Sequence, residues 1–298
     1  MKIQIIKNNI SYKEDINMAV LANKIDFEVI ITVNKANPNG DPLDGNRPRT
    51  DYDGYGEISD VCIKRKIRNR MQDLGKEIFV QSDGKVLDEY KSLSERASAN
   101  LKGIKDRTEY EKTACEKWLD VRSFGQVFAF KSMDVSGGSA GVRGPVSIQM
   151  AQSIDPVEIE SFQITKSVNG EPAEKKASDT MGMKHFVRFG VYTIKGSINV
   201  QLAEKTGFTD EDAEIIKESL RTLFINDVSA ARPDGSMEVN KVYWWKHNCK
   251  EGQYSSKKVH DSVNISLKSG VDSPKSFDDY EINVVSLDGL KVEEINGI

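Results

Sequence analysis

The stretch DFEVIITV, residues 26–33, constrains the fold more than any other segment of the chain. It is dense in β-branched side chains and reads as a buried strand. Residues 36–57 follow, rich in Gly, Pro, Asn and Asp, and far longer than an ordinary connection. Loops of that length inside compact domains are functional or lack order. A helix then starts at Ser59 or Asp60, since either side chain caps free N–H groups. Ile63, Ile67, Met71 and Leu74 recur at helical spacing and form one apolar face, with Lys64, Arg65 and Arg68 on the other sides.

Further elements are spaced along the chain. EIFVQ (77–81) is a short strand candidate, and residues 83–120 read as a charged helical insertion, with helix expected through TEYEKTACEKWLDVRSFGQVFAF. SGGSAGVRGP (136–145) reads as a flexible Gly-rich loop. Residues 146–154, 157–165 and 186–202 read as strands. Between the last two lies a polar excursion from Lys166 to His185, with an Asn169-Gly170 turn, which reads as a projecting hairpin. Thr209 and Asp212 form a capping-box start for a helix to about Phe224, burying Ile215, Leu220 and Leu223. Residues 237–247 and 280–286 are the last strand candidates. The order strand–helix–strand–strand–helix–strand predicts an α+β fold with a split β-α-β, ferredoxin-like core. The expected organisation is a lead-in over 1–24 and one domain over 25–298.

Charge narrows the partners. The formal net charge is −4, so no global field draws the protein to polyanions, and any such attraction is local. Residues 60–70 supply it, with Lys64, Arg65, Lys66, Arg68 and Arg70 opposed only by Asp60. Cys62, Cys115 and Cys249 are far apart and read as reduced thiols. No apolar run approaches a membrane span, and a signal-peptide core is lacking at the start, so a cytoplasmic protein with no membrane partner is expected.

Asp41, Asp44, Asp51, Asp53 and Asp60 offer hard oxygen ligands, but a calcium loop read from Asn37 places Pro42 and Pro48 where Gly and Glu belong. Turn formation accounts for the same residues. His185, His247 and His260 lack zinc spacing, and GGSAGVRG lacks the Lys-Ser/Thr of a phosphate loop. No nucleophile, base and orienter assemble, and no metal, cofactor or catalytic residue is expected. The basic helix is either a solvated face or a phosphate-binding one. Arg47 and Arg49 before it, and Arg122, Lys131 and Arg143 near glycines, favour an RNA- or DNA-binding α+β protein.

The linked motifs NPNGDP…GNRPRT…SDVCIKRKIRNRM, DVRSFGQVF, GVRGPVSIQMAQSIDPVE, DTMGMKHFVRFGVY and TGFTDEDAEIIKESLRTLFINDVSAARPDGSME span about residues 26–247. In that order they resemble the backbone subunit of type I-C CRISPR Cascade, the seventh Cas family of the crRNA-binding RAMP superfamily. The resemblance implies a modified RNA-recognition-motif (RRM-like) core that polymerises along a CRISPR RNA (crRNA) in antiviral defence. Implied partners are the crRNA, the target DNA strand paired to it, further copies of the chain in a helical array, and other Cascade subunits. It implies a clamp at Asn37, Asn39, Arg47, Arg49, Lys64, Arg65 and Arg68, and a Gly-rich loop contributing Arg143 and Gly144. It also implies a thumb over about 166–185 bearing Lys166 and Lys184, with Met181 and Met183 as wedge candidates. The competing class is a type III-like, metal-dependent RNA endonuclease subunit using a loop aspartate, Asp41 or Asp44. A third reading is a structural filament without nucleic acid, which leaves the clustered cations without a use.

Overall fold

Strand β1 (Ile25–Ala36) is buried from Ile25 through Val33 because it has neighbours on both edges and cover on both faces. Its odd-numbered side chains, Ile25 to Val33, enter the larger core, whereas Ile30 on the even-numbered side enters a second one. The computed structural model describes residues 19–131, 133, 135–165 and 181–298. Most of the expected lead-in, and Lys166 with the rest of the hairpin tip through residue 180, lie outside the described residues.

After β1 the long loop forms a small hairpin, β2 (Gly40–Asp41) with β3 (Arg47–Pro48), then β4 (Tyr55–Ile58) and helix α1 (Asp60–Asp73). Helices α2 (Leu93–Asn100), α3 (Arg107–Lys117) and α4 (Leu119–Phe124) come next, followed by a ribbon of β5 (Gly125–Phe128) and β6 (Ala140–Arg143). The chain returns through β7 (Val146–Ile148), β8 (Ala151–Pro156), β9 (Ile159–Thr165) and β10 (Met181–Ile198). It continues with α5 (Val200–Thr206), α6 (Asp210–Arg221) and β11 (Met237–Lys246). Helix α7 (Ser256–His260) and strands β12 (Val263–Leu267), β13 (Tyr280–Val284) and β14 (Val292–Asn296) end it.

The main sheet is antiparallel, ordered β14-β11-β1-β10-β8-β4, with β7 and β9 paired to other stretches of β10. This is a mixed α/β fold with a large antiparallel sheet. On one face, Ile63, Ile67 and Met71 of α1 pack with Ala213, Ile216 and Leu220 of α6, each such burial stabilising by roughly 1.5–3 kcal/mol. On the other face the C-terminal segment brings Val259, Val263, Tyr280 and Leu290 against Ile30, Val191, Tyr243 and Trp245. A third cluster centres on Phe79, with ring centroids 4.7 Å from Trp118 and 5.1 Å from Phe128.

The expected strand at 77–81 does not form. The Phe79 and Val80 amides donate to the Asp120 carboxylate at 2.7 and 3.1 Å, which replaces a strand partner. The expected helix through 130 stops at Phe124, because Gly125 takes φ +81° and turns the chain into β5. Residues 140–143 are a strand of that ribbon rather than loop. The strand expected over 146–154 is two strands, and the one expected over 186–202 starts at Met181 and gives way to α5. Helix α6 begins with the expected capping box, but Ile216 rather than Ile215 is fully buried. Strands β12 and β14 went unrecognised in the sequence. No helix among the described residues is long and apolar enough to cross a membrane.

Candidate nucleic-acid interface

Three elements meet at the start of α1. Ser59 caps the helix by accepting from the Cys62 amide at 3.3 Å, and its own amide and hydroxyl both donate to Asn39 Oδ1 at 2.9 Å. The long loop is thereby fastened to the positive end of the helix. Asn37 is buried and donates to the Asn46 carbonyl at 2.6 Å, which closes the loop over β2 and β3. Arg49 reaches Asp41 at 3.3 Å, and both remain about one-third exposed.

The basic helix is not a solvated face. Lys66 is 4% exposed and paired with Asp227, and burial lowers its pKa despite that partner. Arg68 donates to buried Asp120 at 2.9 Å and lies over the Phe124 ring. Arg65 donates to the Val80 carbonyl at 2.6 Å, and burial, then Arg68 beside it, pulls its pKa down. Arg70 donates to Thr222 at 2.7 Å. Only Lys64 is held by a short-range pair alone, with Asp60 at 3.0 Å. Wedged between α6 and the inserted helices, α1 spends most of its cations on holding its neighbours. Arg122 is likewise engaged, donating twice to Asp212 at 2.8 Å and to the Cys115 carbonyl at 2.5 Å. Burial opposes its charge, but Asp212 more than offsets this and raises its pKa.

Arg143 is exposed at the end of β6, with no hydrogen bond or ion pair from its guanidinium among the described residues. Next to it, Gly144 presses on the turn after α4: a Cβ there would stand 2.3 Å from the Ser123 carbonyl oxygen and 2.5 Å from the Gly125 nitrogen. Lys131 is exposed beyond β5.

Strands β9 and β10 run past the sheet edge as a two-stranded ribbon. Met181, Met183 and His185 share one face with Thr165, Gln163 and Ser161. Met181 and Met183 are 57% and 54% exposed. Lys184 lies on the opposite face, across from exposed Phe162. At the base, Arg47 donates to Ser161 Oγ at 3.0 Å and His185 Nδ1 is 2.8 Å from the same oxygen. The loop hairpin thus connects the start of α1 to the foot of the ribbon.

Sequence reasoning missed Phe162, Ile164, Tyr52 and Leu43, all large apolar side chains left exposed around these elements. Alternation along 157–165 carried the signal for the first two, but which face is covered depends on long-range pairing. The aspartates of the loop are used locally. Asp41 accepts from the Leu43 amide as well as Arg49, and Asp51 accepts from the Asp53 and Tyr55 amides and from Gln152. Among the described residues no three His, Cys, Asp or Glu side chains group as a metal site.

Such a scaffold, an antiparallel sheet with cationic loops and a projecting ribbon, defines a candidate polyanion-binding α/β protein. Residues 23–285 match the sequence model of the CRISPR-associated protein Cas7 family, and the chain belongs to that family. A CRISPR-associated protein Cas7 of Haloferax volcanii is 27% identical over 213 residues, covering 64% of this chain and 61% of that protein. The match thus spans less than two thirds of that relative's length. Among solved structures, a chain described as "CRISPR RNA-guided surveillance complex, pre-nicking" is 17% identical with a TM-score of 0.48, covering 74% of this chain and 78% of that one. A second, "CRISPR RNA-guided surveillance complex", is 19% identical with a TM-score of 0.41, covering 74% and 68%.

Proposed function

We propose that the chain is a crRNA-binding backbone subunit of a type I-C CRISPR surveillance complex in the cytoplasm. It polymerises along the guide, joins other Cascade subunits and supports guide pairing with target DNA. The observation that carries this reading, beyond family membership, is the loop hairpin tied to the α1 start by Asn39–Ser59 and to the ribbon by Arg47–Ser161. Arg47, Arg49 and Lys64 surround that hairpin, and Arg143 lies beyond α4. Cations of this kind hold a phosphate backbone in register without reading bases, while base pairing with the guide supplies sequence discrimination. Asn37 and Asn39 shape the loop, and Arg65 and Arg68 keep spare donors beside their structural partners. Met181 and Met183 act as apolar wedges at the guide–target duplex, with Lys184 and, by the resemblance, Lys166 as further RNA contacts.

The strand order β11-β1-β10-β8, with α1 and α6 as the two crossovers, supports a ferredoxin-like, RRM-like core. The local use of Asp41 by Arg49 and a backbone amide favours a non-cleaving subunit over a metal-dependent nuclease. Incubation with guide and complementary RNA plus magnesium tests that choice, since cleavage products would support the enzyme.

The test of the main reading is salt-dependent titration of single-stranded RNA. Each lost phosphate contact lowers the log–log slope by about 0.7. The double variant Arg47→Ala, Lys64→Ala is expected to bind more weakly with a slope shallower by about 1.4. An unchanged slope would overturn the assignment.

A further inference from the structure

A cleft of about 420 Å³ opens between α3, β6 and α5. Its rim carries Arg143 from β6 and Lys205 from α5, and its floor includes Val142, Leu202 and buried Cys115. The charges around it are unevenly spent. Glu111, which also faces the cleft, is taken by Arg107 at 2.8 Å and the Gly141 amide at 2.9 Å. Lys112 stands 3.7 Å from Glu116. Glu204, the acid beside Lys205, is drawn to Lys250 at 2.6 Å. Arg143 and Lys205 are both exposed and have no acidic partner among the described residues. Two unopposed cations therefore border one concavity in a protein of net charge −4. At its lip, Gly141 has nothing within 4 Å of where a Cβ would stand, so a ligand meets backbone rather than side chain.

We propose that this cleft seats one nucleotide of a single-stranded RNA, its phosphate between Arg143 and Lys205 and its base over Val142 and Leu202. The cations attract an anion, and the apolar floor favours a flat heterocycle over an inorganic ion. The volume falls in the range of small-ligand sites. Base contact with an apolar floor is tolerant of sequence, as a subunit that follows any guide requires. Burial pushes the Cys115 thiol up to about 11, so the floor stays uncharged.

The cleft is also placed for a strand that has already met α1. Arg68 of α1 grips Asp120 at the start of α4, and Gly144 closes on Ser123 and Gly125 at its end. The whole of α4, six residues, spans only about 9 Å. This inference rests on the RNA-binding reading above, and it adds Lys205, which no motif assigned.

The test uses labelled oligouridylate titrated across salt concentrations. Lys205→Ala is expected to weaken binding about fivefold and to lower the slope by about 0.7, the share of one phosphate contact. Lys205→Glu, which removes one contact and adds repulsion, is expected to weaken binding further. Leu202→Trp fills the floor without changing charge, and it too should weaken binding; its fold is checked by thermal melting. Lys257→Ala, at an 83% exposed lysine paired with Asp261, is the control and should bind normally. If both Lys205 variants bind with wild-type slope while Arg47→Ala, Lys64→Ala does not, the cleft is no RNA seat but the main reading stands. If all keep the wild-type slope, the RNA reading itself fails. Uridine monophosphate binding as tightly as the oligonucleotide, and losing affinity in Lys205→Ala, would make the ligand a free nucleotide and overturn the assignment to a strand.

Discussion

Arg68 of α1 donates to Asp120 at 2.9 Å, and the same fully buried carboxylate accepts the amides of Phe79 and Val80. One side chain thus joins the sheet-packed helix to the inserted helices. Asp120→Ala leaves a guanidinium and two amides without their acceptor. The expected loss is about 3–5 kcal/mol, the range for breaking a buried ion pair, read as a lower denaturant midpoint. A loss under about 1 kcal/mol would mean that Arg68 and the amides find water instead.

Glu28 lies on the even-numbered side of β1, paired in register with Lys195 on β10 and Tyr243 on β11. Burial raises its pKa from 4.5 to about 7, with Lys195 opposing and Asp261 adding to the rise. The folded state therefore keeps a proton that the unfolded chain releases above about 4.5. Stability from this group is full below that pH and is lost as pH climbs through about 7. Glu28→Gln should match the wild type near pH 4 and exceed it at pH 8, by up to about 3 kcal/mol for a shift of that size. Denaturant unfolding at several pH values measures the difference. A constant difference across the window would show that Glu28 stays ionised when folded.

Gly144→Ala is expected to displace β6 from the turn after α4, since both nearest atoms are backbone and cannot swing aside. Arg143 moves with the strand. Weaker RNA binding with little change in the melting of the main sheet is the predicted outcome, with hydrogen exchange locating the disturbance at residues 123–144.

Met181→Ala with Met183→Ala removes two side chains that are more than half exposed. Their loss should change stability by under about 0.5 kcal/mol, as for surface positions. On the proposed function, guide binding persists, while a periodic reactivity pattern of the guide–target duplex to chemical probes fades. A pattern that survives unchanged would assign the wedge to another element.

The elements set by local chemistry were legible in the sequence. Ser59 and Thr209 announce their helices by capping, and the run from Ile25 to Val33 announces a buried strand. Two of the failures share one cause, partners further along the chain. EIFVQ has strand composition, but its amides are claimed by a carboxylate some forty residues later. AGVR reads as loop until β5 pairs with it. The candidate site shows the same division. Its residue types pointed to phosphate, yet sequence could not tell that Lys66 and Arg122 are committed to Asp227 and Asp212, while Arg143 is left over.

Strand β10 runs without interruption for 18 residues, from the exposed ribbon to the sheet interior. At about 3.3 Å per residue it is a rod roughly 60 Å long, and its inner half is clamped between β1 and β7 or β8. It therefore works as a ruler whose zero mark is fixed in the core. One residue inserted near His185 would turn both methionines to the opposite side. Two would restore their direction and displace them outward by about 7 Å. The distance of both methionines from the core is then written in the covalent length of a single strand.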